Sequence, residues 1–262
     1  MIGIRILSLL SMALAVATFA RADGNSELPF ALANRAPLVA IYGLPMAQSG
    51  RLLGVGEQRW SLGITVANSF RVPPPESNEA IYLDGETSNA RLGWRRGLAR
   101  RFELGLELPI VHHSGGFLDS LIDGFHSTFG FDRADRDRVP NDELYYQYAR
   151  DGRLLLNMNE GGTGIGDAQL LAGVQLWEAD DRWLAARLGV KAPTGDADYL
   201  YGSGGWDSSL ALHWADRASG GRYRLNYELA VGALYTSDGE VLPELRRNWM
   251  AYGLSLIHIS EP

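Results

Sequence analysis

Several stretches carry residue types able to do chemistry. His112-His113-Ser114 and His126-Ser127 each set an imidazole, a possible base, beside a hydroxyl, a possible nucleophile. Neighbours along a strand point to opposite faces, so neither pair is a ready dyad for attack on an ester. Asp119, Asp123 and His126 follow Asp-x3-Asp-x2-His spacing. On a helix that spacing gathers oxygen and imidazole donors on one side, as a divalent cation requires. Two acids and a histidine also share solvated helix faces as a matter of course, so the expectation is a polar helix face and no metal. Gly162-Thr163-Gly164-Ile165-Gly166 has the glycine density of a phosphate loop, but no Lys-Ser or Lys-Thr pair follows it. Lys191, the only lysine among 24 basic residues, opens Lys191-Ala192-Pro193-Thr194-Gly195-Asp196. Pro193 cannot donate to a ladder and the residues after it suit a turn, which makes this a strand terminus. The residues therefore predict no catalytic set, no cofactor and no metal.

The elements that must position these residues are strands. In Phe102-Glu103-Leu104-Gly105-Leu106-Glu107-Leu108 every second residue is apolar and those between are acidic or glycine. The same alternation recurs at Trp60/Leu62/Ile64/Val66, Leu170/Ala172/Val174/Leu176, Leu184/Ala186/Leu188/Val190 and Leu210/Leu212/Trp214. From Tyr223 to Tyr235 it runs longer than the ~9–11 residues a tilted strand needs to cross a bilayer, with tyrosine at both ends. The opposite, polar face holds Glu103, Glu107, Gln169, Gln175, Arg187, Lys191, Arg224 and Glu228, which are expected to line an interior.

Connections alternate in length. Gly97 to Arg100 and Glu178 to Arg182 are short hairpins, whereas Pro73 to Glu79, Phe131 to Gly152 and Asp196 to Trp206 are long and polar. Short turns at one end and long loops at the other is the arrangement of outer-membrane barrels. One segment departs from the strand period. From Gly116 to Gly130, Leu118, Ile122, Phe125 and Phe129 form one apolar stripe of a helix. Such a helix is expected to lie against the membrane surface or to plug an end of the lumen, with the stripe packed and the polar edge solvated.

The first 22 residues read as a cleaved signal peptide: Arg5, an apolar run from Ile6 to Phe19, and Ala20-Arg21-Ala22. Losing Arg5 and Arg21 with it moves the net charge from −7 to −9, which argues against nucleic acid as a partner. No later apolar run is long enough for a membrane helix. The chain has no cysteine, so disulfides do not hold it, although export would permit them.

Specific runs carry a resemblance. Leu83-Asp84-Gly85-Glu86-Thr87, Glu107 to Asp119, Phe125-His126 and Phe129-Gly130 resemble an uncharacterised family of proteobacterial outer-membrane proteins known as a domain of unknown function, DUF3187. Gly164-Ile165-Gly166-Asp167, Lys191 to Asp196 and Gly202 to Asp207 are similar both to that family and, more loosely, to barrels of aromatic-degradation operons. The resemblance implies location and fold, and carries no substrate or catalytic residue.

The expectation is an all-β, antiparallel transmembrane barrel over residues 23–254, of about twelve strands when complete, in the cell outer membrane. Its partners would be outer-membrane lipid and the barrel-assembly machinery, and its role that of a passive, porin-like channel or a structural barrel with an unspecified small-molecule permeant. An outer-membrane lipid hydrolase and a soluble periplasmic β-sandwich binding protein are the alternatives. Residues 255–262 are expected to be a non-native tail, because Pro262 is a poor closing residue for a strand and the run resembles translated adapter sequence.

Overall fold

A computed structural model describes residues 34–46, 48–73, 78–116, 118–130, 140–217 and 224–260. The expected signal peptide, residues 131–139 of the long loop and the end of the tail lie outside these, as do the side chains of Leu121, Ile122, Arg224, Leu225, His258, Ile259 and Ser260. Eleven strands form one antiparallel sheet curled into a half-barrel. They are β1 (Gln58–Arg71), β2 (Glu79–Ala99), β3 (Phe102–Ser114), β4 (Tyr145–Arg150), β5 (Arg153–Met158), β6 (Gly162–Ile165), β7 (Gln169–Ala179), β8 (Arg182–Lys191), β9 (Asp207–Asp216), β10 (Arg224–Thr236) and β11 (Trp249–Ser260). Two helices accompany them, α1 (Pro37–Ala40) and α2 (Asp119–Phe129).

Register reduces the eleven strands to eight columns. Leu83 and Asp84 of β2 pair with β1 and with β4, so β4 lies on the side of β2 that β3 occupies lower down. Strands β3 and β4 are thus one ascending column, interrupted by the excursion that carries α2. By the same reasoning β5, β6 and β7 are one descending column beside it. The remaining connections are plain hairpins. The turn between β7 and β8 is Asp180-Asp181, both with positive φ, the geometry that matches strand twist in a two-residue hairpin.

The long loop expected from Phe131 to Gly152 is shorter than its polarity suggests, because Tyr145–Arg150 is strand β4 with Tyr146 and Tyr148 fully buried. Strand β11 stays paired to β10 as far as Ser260, so Ser255–Ser260 of the expected non-native tail is strand. Alternation in Leu256-Ile257-His258-Ile259 suffices for that conformation.

The two faces of the sheet are inverted relative to a soluble protein. Along β3 the odd residues are buried on the concave side, including Glu103 and Glu107, and the even residues Phe102, Leu104, Leu106 and Ile110 are exposed on the convex side. Trp60, Ile64, Leu170, Val231 and Trp249 expose between 62 and 69 % of their surface. Aromatic rings cluster at both ends of that oily face. Trp60 with Trp94 (6.3 Å) and Trp177 with Trp214 (5.6 Å) sit at the short-turn end, and Tyr235 with Trp249 (5.0 Å) at the long-loop end.

Candidate functional site in the sheet interior

The concave wall is built by alternation: inward positions of β2, β3, β7, β8, β9 and β10 carry the charged and amide side chains. At the short-turn end Glu103 accepts from Arg187, with Arg95 at 3.9 Å, and Glu107 is held by Arg91 (3.3 Å) and Arg95 (3.2 Å). These ions are mostly buried, and each is balanced by an opposite charge, as burial in a low-dielectric site requires. Gln169, Gln175 and Lys191 are buried on the same wall, and Glu228 is half-buried. Of the eight residues expected on the interior face, six are buried and Glu228 is half-buried, while the side chain of Arg224 lies outside the described ones.

Sequence reasoning missed what they face. Residues 36–46 and 48–57 run the length of the interior, from the long-loop end to the short-turn end, where β1 begins. The wall holds this segment step by step. Asp207 accepts from the Gly43 amide (2.7 Å), and the Gln48 carbonyl lies 3.1 Å from His213 Nδ1. Glu228 accepts from the Ser49 hydroxyl (2.7 Å) and the Gly50 amide (3.1 Å), while Arg187 donates to the Ser49 carbonyl (2.9 Å). Gln175 accepts from the Leu52 amide (3.0 Å) and donates to the Gly50 carbonyl (3.0 Å), and Glu103 accepts from the Leu53 amide (2.9 Å). Contact is close enough to require glycine at two points. A Cβ on Gly50 would come within 2.7 Å of the Ala215 amide nitrogen, and one on Gly97 within 2.0 Å of the Gly54 carbonyl oxygen. The glycines at 43, 50 and 54 are the sequence signal for this close approach, though without a periodicity to give them a partner.

At the long-loop end Lys191 gathers the groups around it. Lys191 donates to Asp167, Ser203 (2.7 Å) and the Gly205 carbonyl (3.0 Å), with Asp207 at 3.3 Å. Asp167 also accepts from the amides of Gly195 (2.8 Å) and Ser203 (3.0 Å), so one buried ion cluster ties down the loop between β8 and β9. The turn motif at Lys191 is therefore a strand end whose lysine is a buried clasp. Beside it Ile41 packs with Tyr146, Met158, Ala197, Leu200 and Val241 in a small apolar core. His113 lies under this core, its Nδ1 2.9 Å from the Thr87 hydroxyl and its ring stacked on Tyr201 at 5.8 Å. Burial raises the Tyr201 hydroxyl above the usual phenol range, with Tyr199 and Asp196 adding to it, and burial beside Arg91 lowers Arg35. The cavity between Arg35, Ile41, Thr87, His113 and Tyr201 measures about 20 Å³, room for one or two waters.

The histidine and serine pairs are not brought together. His112 turns outward and its Nδ1 faces Thr163 Oγ1 at 2.8 Å, while the Ser127 hydroxyl donates to the Gly124 carbonyl (3.0 Å). The helix expected over Gly116–Gly130 is α2, but its faces are reversed. Asp119, expected on the solvated edge, is 1 % exposed and accepts from Asn68 (3.0 Å) and the Asp142 amide (3.0 Å). Asp123 and His126 are half-buried on the same side. Phe125 and Phe129, expected in a packed stripe, are 53 and 63 % exposed and touch one another at 4.6 Å. Among the described residues no cluster of His, Cys, Asp and Glu has the arrangement of a metal site.

Compared with known proteins, residues 6–256 match the model of a family described as a protein of unknown function (DUF3187). No curated protein and no solved structure matches the chain.

Proposed function

We propose for this chain, which belongs to the DUF3187 family, the role of a passive outer-membrane barrel whose interior conducts small solutes. The observation that carries the reading is the inversion of polarity: an apolar convex face ringed by aromatics, and a concave face of paired charges. A soluble sandwich would cover the oily face with a second sheet, and all eleven described strands belong to one. Water would leave that much apolar surface unpaid for, whereas acyl chains cover it at no cost. Lipid is then the partner of the convex face, with the barrel-assembly machinery acting at insertion. In this reading α2 lies at the interfacial boundary of the same bilayer, which the exposure of Phe125 and Phe129 supports. Exit through a cleaved leader brings the protein to the outer membrane. No nucleic acid and no catalysis enter this role.

Cell fractionation tests the location, with gel mobility before and after boiling as the second readout. Recovery with outer membranes and a heat-dependent mobility shift are expected; release as a soluble protein on osmotic shock would overturn the reading. Planar bilayers then test conduction: discrete conductance steps are expected, and a closed barrel under all voltages would leave a structural role.

A further inference from the structure

We infer that the concave wall is a binding site for an extended peptide main chain, occupied in cis by residues 43–46 and 48–54, and that this segment is a displaceable plug closing the passage. The inference rests on the conduit reading above. Of the eight bonds that wall side chains make to the described residues of the segment, seven end on its own main-chain atoms, and the Ser49 hydroxyl alone contributes a side chain. Such a wall holds the path of a chain and reads little of its sequence. Its bonds also leave the wall intact when broken, because Glu103 keeps Arg187 and Asp207 keeps Lys191 without the segment. Water can replace the amides and carbonyls that depart, so release costs hydrogen bonds that solvent restores. A permanent core element would be held by apolar side chains, as Ile41 is at the long-loop end. Among the described residues of the segment below Ile41, the one deeply buried apolar side chain is Leu52, against Gly173.

The test uses a staple and a wedge in a chain with no cysteine of its own. A Cβ built on Gly43 lies 3.1 Å from the Asp207 Cβ, a few tenths of an ångström inside the span of a disulfide, so Gly43→Cys with Asp207→Cys can lock the segment to the wall. Gly50→Val drives a side chain against Ala215 and must lift the segment away. Both variants and the unaltered full chain are compared in planar bilayers, with trypsin cleavage at Arg51 reporting release. The wedge should raise the fraction of time spent open by roughly tenfold, the scale of one buried hydrogen bond left unmade, and make Arg51 cleavable. The oxidised staple should silence openings, and reductant should restore them. Equal conductance with the staple closed, as verified by mass, and open would overturn the plug while the conduit stands. Cleavage at Arg51 in the Gly50→Val variant with no conductance in any form would overturn the conduit, and the gate with it.

Discussion

The two ends of the interior solve the same problem with different chemistry. At the long-loop end the threading segment is packed: Ile41 sits in an apolar cluster, and Lys191 with Asp167 and Asp207 clasps the loop above it. At the short-turn end the segment is held by hydrogen bonds to Glu103, Gln175, Arg187 and Glu228, with little apolar burial. Packing is lost all at once when a side chain leaves, because water cannot replace it. Hydrogen bonds are exchanged for water one by one. The long-loop end is therefore an anchor and the short-turn end a latch.

The largest break in that comparison should come from Lys191→Met. It strands two carboxylates in a site where Lys191 is 2 % exposed, and removing one member of a buried ion cluster costs about 3–5 kcal/mol. Urea unfolding in detergent micelles should show that loss, and adding Asp207→Asn should recover part of it. Unchanged stability would mean that the clasp is wetter than its burial indicates. Ile41→Ala should cost less, toward the lower end of ~2–5 kcal/mol, since the cluster can partly collapse on the space. Its effect should be stability lost without tryptic cleavage at Arg51. Glu103→Gln should behave oppositely. It removes the charge facing Arg187 and Arg95 and weakens the Leu53 latch, for about 1–3 kcal/mol. Cleavage at Arg51 should rise, the signature that Ile41→Ala lacks, beside the fall in the unfolding midpoint that the broken wall pair brings. If the two variants exchange these signatures, the division into anchor and latch is wrong.

What was legible in the sequence follows from period. Alternation with a period of two assigns each strand residue to a face, so Glu103, Gln175 and Arg187 could be placed on one wall without knowing the curvature of the sheet. Threading of residues 36–46 and 48–57 has no period. Its partners lie far off in sequence, Leu52 meeting Gln175 across 123 positions and Ser49 meeting Glu228 across 179. Local pattern cannot encode such pairings. Strand β4 was hidden for another reason: its six residues adjoin a polar loop, and Tyr146 and Tyr148 read as surface tyrosines until their burial is known. The helix α2 was legible as a helix and misread as to which face packs. A hydrophobic stripe gives two faces but not the medium that covers each.

That misreading yields the smallest effect on folding and the sharpest test of what surrounds the molecule. Phe125 is 53 % exposed and its ring lies 4.6 Å from that of Phe129. Phe125→Asp therefore buries no charge in protein, and a surface change of this kind alters stability by no more than about 0.5 kcal/mol. Its cost should appear only where a bilayer meets the helix. An aspartate there loses the apolar contact of one ring and adds a charge at the interface, so reconstitution into vesicles should fall relative to the unaltered chain while detergent stability stays level. A matched loss in detergent and in vesicles would mean that the stripe packs against protein after all. An unchanged yield in vesicles would mean that α2 stands clear of the membrane, in the water beyond the long-loop end.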